Sequence, residues 1–186
     1  MTAMMTRLAA AILSLCLCVT MAQAEMAAPA DLQFDLVEGE KVRLADYRGK
    51  VVLVVNTASK CGYAPQFTQL QDLAERYAEK GLVVLTVPSN DFKQELSSAE
   101  EAKRYCAMTF GADLPMARIT KVTGAQAHPF YSWLRESRGF EPSWNFNKVL
   151  LDRDGNVAAT YRAPTKPLSD AMERAIEAAL AAPAHG

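Results

Sequence analysis

The chain has 186 residues, with 50% hydrophobic and 22% charged side chains and a formal net charge of -1. That composition excludes a disordered chain, and the balance of 20 basic against 21 acidic residues argues against a nucleic-acid backbone or an anionic membrane surface as partner. Four cysteines are too few for a disulfide-dense secreted scaffold.

The first segment reads as an address. Arg7 precedes an apolar run from Leu8 to Val19, and Ala22-Gln23-Ala24 supplies small residues at a cleavage site, the layout of a secretory signal peptide. The run is shorter than the roughly 20 apolar residues that span a bilayer. Leu15 and Leu17 precede Cys16 and Cys18 where lipid attachment wants a small residue. The expected organisation is a signal peptide over 1–24 and one domain over 25–186, exported to the periplasm without stable membrane insertion. Cleavage removes Cys16 and Cys18 and leaves Cys61 and Cys106 in a compartment where disulfides persist.

The mature part alternates between two periods. Phe34, Leu36, Val42 and Leu44 alternate with polar residues around Glu38-Gly39, which predicts an N-terminal hairpin. Val51 to Val55 is a continuous apolar run, as in a strand buried on both faces. Over 64–80, Phe67, Leu70, Leu73 and Tyr77 share a helical face, with Pro65 in the first turn and Gly81 at the end. Leu82 to Val87 is a second buried strand, so the three form a βαβ unit. Ser98-Ala99-Glu100-Glu101 reads as a capping box before a helix with Ala102, Tyr105, Cys106 and Thr109 on one face. A short strand at Ile119 to Val122, a helix from Pro129 to Glu136, and a hairpin of Val149–Leu151 with Val157–Tyr161 about Asp154-Gly155 follow. Leu168, Met172, Ile176 and Leu180 mark a last helix. The fold class is α/β.

Cys61 follows the first buried strand and precedes a helix, at the carboxyl end of a sheet strand where reactive groups collect. The helix N-terminus and Lys60 both favour negative charge on its sulfur, and Gly62 allows close approach. Position alone also suits a buried structural cysteine. The residue three after Cys61 is Ala64, so C-x-x-C exchange is excluded. His128 and His185 are the only histidines, too few for a zinc site. A hydrolase base at His128 is disfavoured by its place before Pro129 at a helix start. A nucleophilic sulfur remains, with Cys106 as a second thiol downstream.

Here the residues match a family. NTASKCGYAPQF resembles the active-site signature of glutathione peroxidases. GLVVLTVPSNDF, RYCAMTFGADLPM, AHPFYSWL and WNFNKVLLDRDGNV resemble that family's later blocks in order, over roughly residues 32–180. The resemblance implies a thioredoxin-like fold, a central mixed sheet flanked by helices, and reduction of hydrogen peroxide and organic hydroperoxides. It makes Cys61 the peroxidatic residue, where some relatives carry selenocysteine, with Trp144 and Asn145 as supporting donors. It makes Cys106 the resolving cysteine of the thioredoxin-dependent members, although a small buried hydrophobe is the plain alternative there. The reductant implied is a thioredoxin-like protein or glutathione, with no bound cofactor or metal.

Two departures stand out. The family's active-site Gln, in N-Q-F, aligns with Asp91, and one residue is deleted between Phe92 and Gln94. An ionised Asp91 turned toward the sulfur would oppose a thiolate and slow the peroxidase; turned away, it would not. Gln94 stands close by, matching the Q-E that follows in the family. The family's F-P-C-N cysteine is replaced by Ser89. A short connection from Leu134 to Trp144, where tetrameric relatives carry an insertion, leads us to expect a monomer. A peroxide sensor or thiol relay using the same cysteines is the competing reading, and a non-catalytic binding module a weaker one.

Overall fold

The computed structural model describes residues 28–184, so the proposed signal peptide over 1–24 lies outside the described residues. An antiparallel hairpin of β1 (Gln33–Asp35) and β2 (Lys41–Arg43) opens the fold, and a short 3-10 helix, Leu44–Tyr47, follows. Strand β3 (Val51–Thr57), helix α1 (Gln66–Tyr77) and strand β4 (Leu82–Pro88) then form the βαβ unit. After α2 (Ala99–Phe110) and α3 (Pro129–Arg138) come β5 (Lys148–Leu151), β6 (Val157–Tyr161) and α4 (Asp170–Ala181).

The main sheet has the order β4-β3-β5-β6, with β3 parallel to β4 and antiparallel to β5. Every residue of β3 is buried, because its alternating side chains feed two cores. Val51, Leu53 and Val55 join Leu70 and Leu73 of α1, Ala102 and Cys106 of α2, and Met172 and Ile176 of α4. Val52 and Val54 join Phe34, Phe130 and Leu134 on the opposite face. Helices on both faces of a mixed sheet, with a small antiparallel hairpin ahead of it, are what the sequence led us to expect.

Local signals explain the boundaries. The Ser98 hydroxyl caps α2 by accepting the Glu101 N–H (3.1 Å), and Gly111 ends that helix at φ 65°. Pro129 occupies the first turn of α3, and Gly139 closes it at φ 61°.

Two expectations need correction. Ile119 to Val122 is not a strand; the chain makes single bridges earlier, at Met116 with Thr86 and at Ala117 with Leu36. The Val122 N–H that a ladder would use is taken by the Asp91 carboxylate instead, and Ile119 is exposed. The buried face of α2 is also narrower than its sequence suggests. Ala99, Ala102 and Cys106 are buried, whereas Tyr105 and Thr109 face outward, because the helix touches the core along one line only.

Candidate active site

The end of β3 and the loop after it hold Cys61, the candidate nucleophile. A tight series of turns, with Cys61 N–H on Ala58 O, Ala64 N–H on Cys61 O and Gln66 N–H on Tyr63 O, leads into α1. Cys61 is 5% exposed, and the Tyr63 N–H points at its sulfur from 3.5 Å. An amide aimed at sulfur from a helix entrance favours negative charge there. Beside this turn, Gly62, Tyr63, Pro65, Gln66, Pro164 and Lys166 border a shallow depression of about 200 Å³. A hollow of about 580 Å³ elsewhere, bordered by Asp31, Phe34, Arg118 and His128, contains neither cysteine.

A second loop is tied to the first. Lys60 N–H bonds to Gln94 O (2.9 Å), and Ser59 N–H bonds to the Glu95 carboxylate (3.1 Å). Gln94 therefore stands beside the Cys61 turn, and its side-chain oxygen accepts the Asn145 amide at 3.0 Å. With that oxygen engaged, the Gln94 amide nitrogen has no acceptor among the described residues. Asn145 is fully buried, and its side-chain oxygen has no partner among the described residues.

Trp144 is 41% exposed and rests against Phe92, with ring centres 5.4 Å apart. Its carbonyl accepts the Asn56 amide (2.9 Å) and the Asn147 amide. Asn56 also accepts the Asn147 N–H through its side chain, and its main-chain oxygen accepts the Phe146 N–H. Between those anchors Phe146 sits at φ 64°, a left-handed conformation costing on the order of 1–3 kcal/mol for a bulky residue. Its fully buried ring packs edge-on against Phe67. Asn56, at the end of β3, thus braces the Trp144–Asn145 turn against the strand that presents Cys61. Sequence reasoning missed Asn56; the available signal was a polar residue closing an otherwise apolar strand.

Asp91 turns away from this group. Its Oδ2 accepts Val122 N–H (2.7 Å), Thr123 N–H (3.0 Å) and the Thr123 hydroxyl (3.2 Å). The structure thus brings Asn145 to Gln94 and gives Asp91 to the loop at 122–123.

Cys106 lies on α2, 1% exposed and not in a disulfide, in the same core cluster as Cys61. Burial, with a smaller effect of the Glu95 charge, pushes its thiol up to about 12, against a weaker opposing bond from Ser59. Burial likewise raises the Glu95 carboxyl, partly offset by its bonds to Ser59 and Leu96.

Lys148, on β5, was also missed. It is fully buried, and its ammonium donates to Gln66 Oε1 (2.6 Å), Ala163 O (3.2 Å) and Thr165 O (2.7 Å). Burial lowers it to about 7. His128 caps α3: its Nδ1 accepts the Phe130 N–H, which leaves Nε2–H to donate to Gln33 O, while the ring stacks on Phe34. That structural use fits the sequence argument against a hydrolase base. Among the described residues no group of acidic, histidine and cysteine side chains is arranged to hold a metal, and no helix is long and apolar enough to cross a membrane.

A cysteine at a strand-to-helix turn, without a C-x-x-C partner and beside an amide-rich loop, defines a thiol peroxidase on a thioredoxin-like frame. Comparison with known proteins bears this out. The family model described as Glutathione peroxidase matches residues 30–135. A glutathione peroxidase of Lactococcus lactis is 42% identical over 146 residues, covering 76% of this chain and 92% of the relative. The glutathione peroxidase-like peroxiredoxin 2 of Saccharomyces cerevisiae is 38% identical over 145 residues, covering 75% and 90%. Among solved structures, the apo form of Trgpx superposes with a TM-score of 0.67 at 31% identity, covering 83% of this chain and 97% of that one. A thiol-disulfide isomerase from Corynebacterium glutamicum, at 20% identity and a TM-score of 0.64, covers 87% and 99% and shares the fold. The chain belongs to the glutathione peroxidase family. It is a peroxidase that acts on peroxides at the expense of a thiol reductant.

Proposed function

We propose that Cys61 is the nucleophile and that Gln94, Asn145 and Trp144 surround its reaction. The Cys61 thiolate attacks one oxygen of the hydroperoxide, the O–O bond breaks, and the sulfur becomes a sulfenic acid as water or an alcohol leaves. The observation that carries this reading is the Gln94–Asn145 hydrogen bond on a loop tied to Lys60. It supports Gln94 in the part that sequence alignment gives to Asp91. Preorganised amide donors stabilise charge developing on the departing oxygen without reorganising.

Cys106 then attacks the sulfenic acid and forms a disulfide with Cys61, which a thioredoxin-like dithiol or glutathione reduces. No bound cofactor enters this cycle. The protein works as an exported monomer, in the periplasm, where a signal peptide over 1–24 would deliver it. The sensor reading loses its main ground, since the Asp91 charge is spent on the loop at 122–123.

Rapid mixing of reduced protein with hydrogen peroxide and an organic hydroperoxide tests the chemistry. Intact mass should show one added oxygen in Cys106→Ser and the loss of two hydrogens in the unmutated protein. A Cys61 that reacts no faster than a free thiol would overturn the assignment. Turnover of Cys106→Ser with thioredoxin at the full rate would remove Cys106 from the cycle.

A further inference from the structure

Lys148 places a charge where an apolar side chain would serve the strand. It is fully buried on β5, opposite Val55 of β3 and Tyr161 of β6. Its ammonium donates to three neutral oxygens, and among the described residues no carboxylate pairs with it. A buried cation without an acidic partner costs more than a well-packed apolar residue, so its presence points to a use.

The three acceptors belong to two segments beside Cys61. Gln66 Oε1 (2.6 Å) stands on the first turn of α1, whereas Ala163 O (3.2 Å) and Thr165 O (2.7 Å) follow β6. An ammonium has three hydrogens, and here each has an acceptor. The Gln66 amide also donates to Ala163 O (2.9 Å), which closes a ring of three groups. Gln66 and Pro164, the residue between the two carbonyls, both border the depression that Gly62 and Tyr63 line. Lys148 therefore joins two borders of that depression from within the core. The Gln66 N–H donates to Tyr63 O (2.9 Å), and the Tyr63 N–H is the one aimed at the Cys61 sulfur. Contacts thus run without a gap from the ammonium through Gln66 and Tyr63 to the sulfur.

We infer that Lys148 is a positioning residue for the peroxide step, clamping Gln66 to the 163–165 segment so that the Tyr63 amide stays on the Cys61 sulfur. It acts through Gln66 and touches no reacting atom. This rests on the reading that Cys61 is the nucleophile. The clamp is complete only in the ammonium form, because a neutral amine has two hydrogens for three acceptors. Burial brings Lys148 to about 7, so the two forms exchange near neutral pH. Around it, Tyr161 lies on β6, Arg162 and Lys166 flank the 163–165 segment, and Cys61 and Tyr63 precede α1. On the helices, Asp72 of α1 is exposed, Glu173 of α4 pairs with Arg76, and Asp170 pairs with Arg174. Glu75 accepts the Gln71 amide, and Glu177 accepts the Tyr77 hydroxyl. None of these groups is hydrogen-bonded to Lys148.

Oxidation of Cys61 by hydrogen peroxide, followed in stopped flow from about pH 6 to pH 8.5, tests the role. The unmutated protein is compared with Lys148→Met at each pH. Thiolate formation at Cys61 raises both rates, so their ratio isolates Lys148. We expect the unmutated protein to be about tenfold faster at pH 6, with the advantage shrinking as the pH passes 7. A variant slowed only by a disturbed fold would keep one ratio at every pH. Gln66→Met cuts the clamp from α1 and leaves Lys148 its two main-chain acceptors. It should show the same pH-dependent loss, and it serves if the first variant fails to fold. Added to Lys148→Met it should cost little more, since both remove one connection. An unmutated rate at pH 6 in either variant, or a ratio flat across pH, would overturn the proposal. Cys61→Ser checks the underlying reading. If it consumes peroxide at the unmutated rate, Cys61 is not the nucleophile; if it is inert while the ratio is flat, only the role of Lys148 falls.

Discussion

Asp91 and Gln94 lie three positions apart on one loop and do different work. Asp91 joins that loop to Val122 and Thr123 through one carboxylate oxygen, while Gln94 reaches Asn145 beside the Cys61 turn. Asp91→Ala strands two main-chain N–H groups, so we expect a loss of about 1–3 kcal/mol, read as a lower Tm, with the peroxide step little changed. Gln94→Ala should do the reverse: near-normal stability and an oxidation step at least tenfold slower in stopped flow. If Asp91→Gln accelerated that step and Gln94→Ala left it alone, the assignment of the two residues would have to be exchanged. The one-residue deletion before Gln94 is legible in the sequence. Which of the two side chains turns inward is not, because that depends on amides some thirty residues away.

Between elements, Lys148 is the most consequential contact that the residue pattern hides. It stands in a strand and bonds the start of α1, through Gln66, to the segment between β6 and α4, through Ala163 and Thr165. A lysine in an apolar strand reads as an edge residue, and only the convergence of three acceptors makes its burial tolerable. The consequence is a pH-dependent stability. An unfolded lysine holds its proton to about 10.4, whereas burial brings Lys148 to about 7 in the folded protein. Between these values the unfolded chain binds more protons, so stability rises with pH, by up to about 1.4 kcal/mol per unit. The Cys106 thiol, raised from 9.0 to about 12, works in the opposite sense, but only above pH 9. Denaturant titrations from pH 7 to 9 should therefore show a positive slope that Lys148→Met abolishes. An unchanged slope in that variant would show that Lys148 stays charged when buried. The same element-level view explains the missing strand at 119–122, whose Val122 N–H serves Asp91 rather than a ladder.

At the scale of the molecule, β3 divides two cores and leads into the turn that carries Cys61, the proposed nucleophile. In the proposed cycle, closing the Cys61–Cys106 disulfide draws Cys106 out of the core cluster it occupies on α2. Helix α2 holds to the core through few buried residues, Ala99, Ala102 and Cys106, so its local opening costs less than that of β3. Hydrogen exchange on the oxidised protein should show lost protection across Ala99–Phe110 and retained protection across Val51–Thr57. Equal protection in both redox states would mean that the disulfide closes without loosening α2.

The sequence by itself determined the α/β order, the cap at Ser98, the start of α3 at Pro129, and the place of Cys61 at a strand-to-helix turn. Those are local matters: period, capping chemistry and backbone freedom act within a few residues of each other. The five ordered blocks likewise led to the family without any coordinates. Only the tertiary structure decided that Gln94 meets Asn145 while Asp91 faces away, that Asn56 braces Trp144, and that Lys148 is buried. Each of those depends on where a hydrogen-bonding group from a distant segment comes to rest. A buried polar side chain takes the direction in which its partners lie, and no local pattern specifies that.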